Sequence, residues 1–128
     1  MKQLLAIPAL ALVSLSACAT TPAATPPAAA GSLVPLGQPV QAGSLVVTPV
    51  KVAEDSRCPE NARCVWAGRL VVTTRIAGDG WRETADLTLG EAHATHGTTL
   101  TLVSGQPEKR AGAETPAPDY RFAYEGGA

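Results

Sequence analysis

The sequence predicts an all-β domain, a small antiparallel sandwich or partly open barrel of five to seven strands. Three observations carry this expectation. Short segments alternate apolar and polar residues with a period of two. Clusters of glycine and proline separate them, drawn from 12 Gly and 11 Pro in 128 residues. Beyond the first 17 residues, no segment repeats apolar side chains at helical spacing.

The strands follow in chain order. Residues 45–53 are rich in valine, but Pro49 lacks an amide donor, which predicts either an edge strand or a bulge there. Residues 64–76 place Cys64, Trp66, Leu70, Val72 and Ile76 on one face and Arg69, Thr73 and Arg75 on the other, the pattern of a half-buried strand. The tetrapeptide Ala77-Gly78-Asp79-Gly80 supplies two glycines for a tight turn. A second strand of that hairpin then puts Trp81, Ala85, Leu87 and Leu89 inward and Arg82, Thr84, Asp86 and Thr88 outward. Residues 98–104 form a further strand. Near the end, Tyr120, Phe122 and Tyr124 alternate with Arg121, Ala123 and Glu125, a closing strand whose aromatic face completes the core. Residues 105–118 contain three prolines and two glycines and read as a long loop.

The beginning of the chain has a different character. Lys2 followed by the apolar run 4–15 has the make-up of a signal segment and is shorter than the ~20 residues of a membrane-spanning helix. It ends in Leu15-Ser16-Ala17-Cys18, which resembles the lipobox of exported bacterial lipoproteins. The resemblance implies cleavage before Cys18 and lipidation of that cysteine. With Ala19 next, the chain is similar to lipoproteins sorted to the outer membrane of Gram-negative cells, facing the periplasm. The expected organisation is a signal peptide over 1–17, a lipidated cysteine with an Ala/Thr/Pro-rich tether over 18–37, and one β-domain over 38–128. The proline-rich tether has nothing to bury and favours extended geometry.

Removing 17 of 128 residues leaves 111, enough for one domain with a modest core. Loss of Lys2 from the 10 basic residues leaves nine against 11 acidic ones, a net charge of −2, and there is no basic block to recruit nucleic acid. Lipidation consumes one of the three cysteines. Cys58 and Cys64, in an oxidising compartment, are then expected to form a disulfide. Its small ring removes on the order of 2 kcal/mol of unfolded-chain entropy, so it shapes a loop more than it holds the fold.

That pair sits in Asp55-Ser56-Arg57-Cys58-Pro59-Glu60-Asn61-Ala62-Arg63-Cys64-Val65-Trp66-Ala67-Gly68. The segment resembles a DSRCP…CVWAG signature of small exported bacterial proteins. The resemblance supports export and the disulfide and implies no activity. On the residues themselves, a clamped loop above an inward Trp66 is expected to present Arg57, Glu60, Asn61 and Arg63 to a partner, since pre-ordered arginines bind carboxylates with little loss of entropy. A stapled connection whose arginines are solvated or paired with Asp55 and Glu54 is the competing reading.

Other chemistry finds little footing. The six-residue cysteine spacing is not that of a thioredoxin-like motif, no Gly-x-Ser-x-Gly elbow or phosphate loop occurs, and no catalytic residue is assigned. His93 and His96 are weak metal candidates, because two imidazoles without a third ligand make a poor zinc site. With Trp66 and Trp81 both expected inward, no aromatic platform for a sugar is evident. The expectation is therefore a monomeric, non-enzymatic, cofactor-free domain, membrane-held through its lipid and engaging an unidentified envelope protein. Two alternatives differ in class: a serine-protease inhibitor offering Arg57 or Arg63 to a trypsin-like pocket, and a metal or small-ligand carrier using His93 and His96.

Overall fold

The computed structural model describes residues 25–127, so the signal segment, Cys18 and Ala19 lie outside the described residues. Seven strands occur in two antiparallel sheets. The first sheet has the order β1 (Val40–Ala42), β2 (Leu45–Asp55), β3 (Leu70–Gly78), β4 (Trp81–Thr88), and the second the order β5 (Ala92–Thr95), β6 (Thr98–Gln106), β7 (Arg121–Gly126). The sheets face one another as an open sandwich, and neither closes into a barrel. One 3-10 turn, Ala117–Asp119, precedes β7.

Alternation places the core. Val40 and Ala42, Leu45 and Val47, Leu70, Val72 and Ile76, and Leu87 point from the first sheet; Leu100, Leu102, Phe122 and Tyr124 answer from the second. Thr74 occupies the same inward row of β3 and is fully buried. Its hydroxyl donates to the Val72 carbonyl (3.1 Å) and lies 3.0 Å from the Tyr124 hydroxyl, so two polar groups that burial would penalise satisfy each other across the sandwich.

The hairpin of β3 and β4 pairs Val72 with Leu87 and Ile76 with Glu83, and β4 alternates as its sequence predicts, with Leu87 buried and Trp81, Ala85 and Leu89 packed partly against the core. Pro49 resolves to the bulge rather than to an edge strand. β2 lies between β1 and β3, and its register with β3 shifts between Pro49 and Lys51 and again between Val52 and Glu54. β1 and β5 are too short to announce themselves by alternation, at three and four residues.

Two expectations are corrected. The strand expected over 64–76 starts at Leu70, and residues 64–69 are a loop. Gly68 is the reason: it adopts φ +64°, and a Cβ there would overlap the Ser56 carbonyl oxygen. This left-handed residue breaks the pleat, so the shared parity of Cys64, Trp66 and Leu70 no longer places them on one face. Trp66 is consequently exposed, not a floor beneath the loop. The packed chain also reaches upstream of position 38. Val34 is buried and exchanges backbone hydrogen bonds with Phe122, both at 2.9 Å, and Ala28 pairs alongside Val40.

Phe122 is fully buried beside Tyr120, with ring centroids 5.6 Å apart, at the join between β7 and the upstream segment. Phe122→Ala is expected to cost about 3–5 kcal/mol in denaturant unfolding, whereas Val103→Ala, at an exposed β6 position, should change stability by less than about 0.5 kcal/mol.

Candidate functional site

The loop after β2 is built on the last residue of that strand. Arg57 folds back onto Asp55 with Nε donating to Oδ1 (2.9 Å) and Nη2 to Oδ2 (3.0 Å), a two-pronged pair whose side chains are only 13% and 10% exposed. The remaining guanidinium capacity goes to the Gly105 carbonyl (2.9 Å) and the Pro107 carbonyl (3.2 Å) at the end of β6. Tyr120 donates its hydroxyl to Asp55 Oδ2 at 2.7 Å, and Lys109 Nζ donates to the Asp55 backbone carbonyl. The Asp55–Arg57 pair thereby ties together the first sheet, the second sheet and the 107–120 loop.

The charges respond accordingly. Burial disfavours the Asp55 carboxylate, but the hydrogen bonds from Arg57 and Tyr120 and the Arg57 charge outweigh it and hold its pKa below the usual range. The bonds to Asp55 raise Arg57 further against the opposing effect of burial. Burial, then the bond to Asp55, pushes the Tyr120 phenol up to about 12.

Above this base the disulfide joins Cys58 and Cys64. The Glu60 amide donates to the Lys109 carbonyl (2.9 Å), Asn61 Oδ1 accepts from the Ala111 amide (2.8 Å), and Glu60 pairs with Arg110 (2.8 Å). Ser56 and Cys58 amides bond the Arg69 and Ala67 carbonyls, closing the base of the loop. Arg69 pairs with Glu54.

Of the four residues expected to face a partner, three therefore bind the protein itself. Arg57 is a half-buried cross-brace, while Asn61 and Glu60 hold the 107–120 loop. Arg63 is exposed and, among the described residues, has no hydrogen bond or ion pair. What the loop does present is apolar: Val65 is 92% exposed and Trp66 82%. Single apolar side chains stand exposed on many surfaces, but here two adjacent ones crown a loop held from three sides. The sequence carries one signal for this, the Ala67-Gly68 break directly after Trp66.

The histidines lie at the seam between the two sheets. Glu83 on β4 receives His93 of β5, with Nε2 3.0 Å from Oε1, while the Thr95 hydroxyl donates to Oε2 and His96 Nδ1 lies 3.5 Å from it. His96 has φ +44° and, with Gly97 at +77°, makes the two-residue turn between β5 and β6. Its ring stacks on Trp81 at 3.7 Å and 12°. Tertiary structure supplies the carboxylate that the sequence did not place beside the histidines. It acts as a clasp: among the described residues, no group of three or more His, Cys, Asp or Glu is arranged to hold a metal ion. The Thr95 and His93 hydrogen bonds hold the Glu83 pKa below its ordinary value.

The cleft beside the brace, lined by Asp55, Lys109, Glu114, Thr115 and Tyr120, encloses about 170 Å³, below the ~300 Å³ of a typical small-molecule site. Of its two carboxylates, Asp55 is already committed to Arg57 and Tyr120.

Two outcomes follow from the brace and the clasp. Arg57→Ala leaves the Asp55 carboxylate with one side-chain partner and two carbonyls without theirs, and is expected to lower unfolding free energy by about 2–3 kcal/mol. Lysine at that position restores little of it, because it lacks the two-pronged geometry. The pH profile of thermal melting should be flat near neutrality and fall on both sides. Asp55 and Glu83 have lowered folded pKa values, so their contribution is present above the unfolded values, 3.8 and 4.5, and is lost as pH drops through the folded ones. Tyr120 and Tyr124 are raised from 10.0 to about 12, mainly by burial, so their contribution is complete below pH 10 and is lost between there and about 12. No family model, curated protein or solved structure matches the chain.

Proposed function

We propose that the chain is a lipid-anchored, non-enzymatic module of the bacterial cell envelope, attached through Cys18 to the outer membrane on its periplasmic side, and that it makes contact through the tip of the stapled loop. The observation that carries this reading is the outward pair Val65 and Trp66 on a loop locked at its base by the Asp55–Arg57 brace, the disulfide and the Glu60 and Asn61 bonds. A pre-ordered aromatic loses little entropy on contact, and such residues dominate recognition energetics. The lipobox resemblance supports the anchor, and the upstream Ala/Thr/Pro tract supports a tether.

The inhibitor alternative narrows to Arg63. Arg57 is already bound by Asp55, Gly105 and Pro107, whereas Arg63 is exposed beside a disulfide cysteine. Inhibition of trypsin by the parent and not by Arg63→Ala would favour that reading; no inhibition at micromolar protein ends it.

The anchored-contact reading is tested in cells by two substitutions. Cys18→Ala is expected to abolish incorporation of an alkynyl fatty acid and to move the protein from the membrane to the soluble fraction. A photo-crosslinking residue in place of Trp66 should give an adduct, to lipid or to protein, that the same residue at the exposed Thr84 does not. Equal labelling at both positions removes the tip as a contact element.

A further inference from the structure

We propose that the tip formed by Arg63, Val65 and Trp66 seats on a lipid surface, in the headgroup region of the same bilayer that holds the anchor; the proposal rests on the lipid-anchored reading above. The chemistry of the tip matches that region. Tryptophan and an adjacent aliphatic side chain suit the boundary between headgroups and acyl chains, where the indole ring is shielded and its N–H still finds a partner. Both are almost fully exposed here, 82% and 92%. The free charge beside them is cationic. Within residues 58–68 the one acid is Glu60, which is engaged by Arg110, while Arg63 is unengaged among the described residues and complements lipid phosphate.

The size of the tip favours lipid over a protein partner. An aromatic side chain covers roughly 150–250 Å², so Trp66 with Val65 falls well short of the ~800 Å² that each side of a stable protein complex contributes. Shallow insertion needs only a small apolar element when the attachment itself comes from acyl chains and the tip adds a second contact to a tethered molecule.

The direction of the chain places the tip on the anchored side. Ala28 runs parallel to Val40, and Gln38 Nε2 donates to the Pro26 carbonyl at 3.2 Å, so the chain read backward from Ala28 moves from Val40 toward Gln38. β1 is antiparallel to β2, with Val40 opposite Val47, and Gly37 donates to the Pro49 carbonyl at 2.7 Å. That backward path therefore heads along β2 toward Asp55, the end that carries the stapled loop. Six residues, 19–24, separate the lipidated cysteine from Thr25, and the seven steps from Cys18 to Thr25 have a fully extended reach of about 22 Å at ~3.1 Å per residue, which spans the roughly 16 Å between the levels of Val50 and Asp55 at ~3.3 Å per strand residue.

The test uses the lipidated mature protein reconstituted into vesicles of phosphatidylethanolamine and phosphatidylglycerol, with and without brominated acyl chains. Trp66 and Trp81 are the two tryptophans, and Trp66→Phe removes the exposed one without touching the core. Brominated lipid is expected to quench the parent at least about twofold more than Trp66→Phe, since only a ring at the acyl boundary is in reach. Replacing both Val65 by Ser and Arg63 by Glu, at exposed positions, should reduce that difference. Equal quenching of parent and Trp66→Phe, with both still vesicle-bound through the anchor, overturns lipid seating and leaves the anchored reading intact. A Cys18 without acyl chains in the purified mature protein sinks both. A protein adduct at position 66 that shields it from brominated lipid assigns the tip to a protein partner and overturns the proposal.

Discussion

The Asp55–Arg57 pair is the constraint on which the upper end of the molecule depends. A carboxylate at the end of β2 is costly to enclose unless its lone pairs are used. Here Arg57 and Tyr120 use them, and the guanidinium's remaining donors reach two carbonyls at the end of β6. Because these partners come from both sheets and from the 107–120 loop, one ionic group sets where β2 stops, where β6 stops and how the long loop lies. The disulfide then acts on a loop whose base is already placed. The short ring it closes fits a local role, and the backbone bonds from Glu60 and to Asn61 extend the same fixation outward.

The opposite seam of the sandwich uses a second ionic device. The edge strands β4 and β5 carry Glu83 and His93, with Thr95 and His96 adding contacts to the same carboxylate. An open sandwich leaves such edges exposed to pairing with other chains. Side-chain bonds between the two sheets close this side without main-chain pairing, and the stack of His96 on Trp81 covers an aromatic ring that β4 leaves half out of the core. The residues that looked most like chemistry in the sequence, two histidines and an arginine-flanked disulfide, are thus largely spent on holding the sheets and the loop. The side chains left over, Arg63, Val65 and Trp66, stand outside that framework, and this places the functional reading at the tip rather than in a cleft.

Much of the sandwich was legible because period-two alternation is a local property. Leu70, Val72 and Ile76 on β3, Leu87 on β4, and Phe122 and Tyr124 on β7 all reach the core as their spacing predicts. Pro49 marked its bulge through a missing donor. The same rule failed at Trp66, where parity with Leu70 was carried across Gly68 as though the chain stayed pleated. β1 and β5 escaped notice since three or four residues hold too few alternations to register, and the packing of Val34 against β7 depends on a partner 88 positions away.

The sequence by itself determined the fold class, most of the inward faces and the pairing of Cys58 with Cys64, because the first two depend on short-range periodicity and the third on two cysteines being left once the lipobox takes Cys18. Only the tertiary structure decided what the charged side chains do. Glu83 meets His93, and Arg57 the Gly105 carbonyl, by the distance between two sheets, a quantity that no spacing along the chain encodes, and the same assembly turned Trp66 from an expected floor of the loop into its outermost feature.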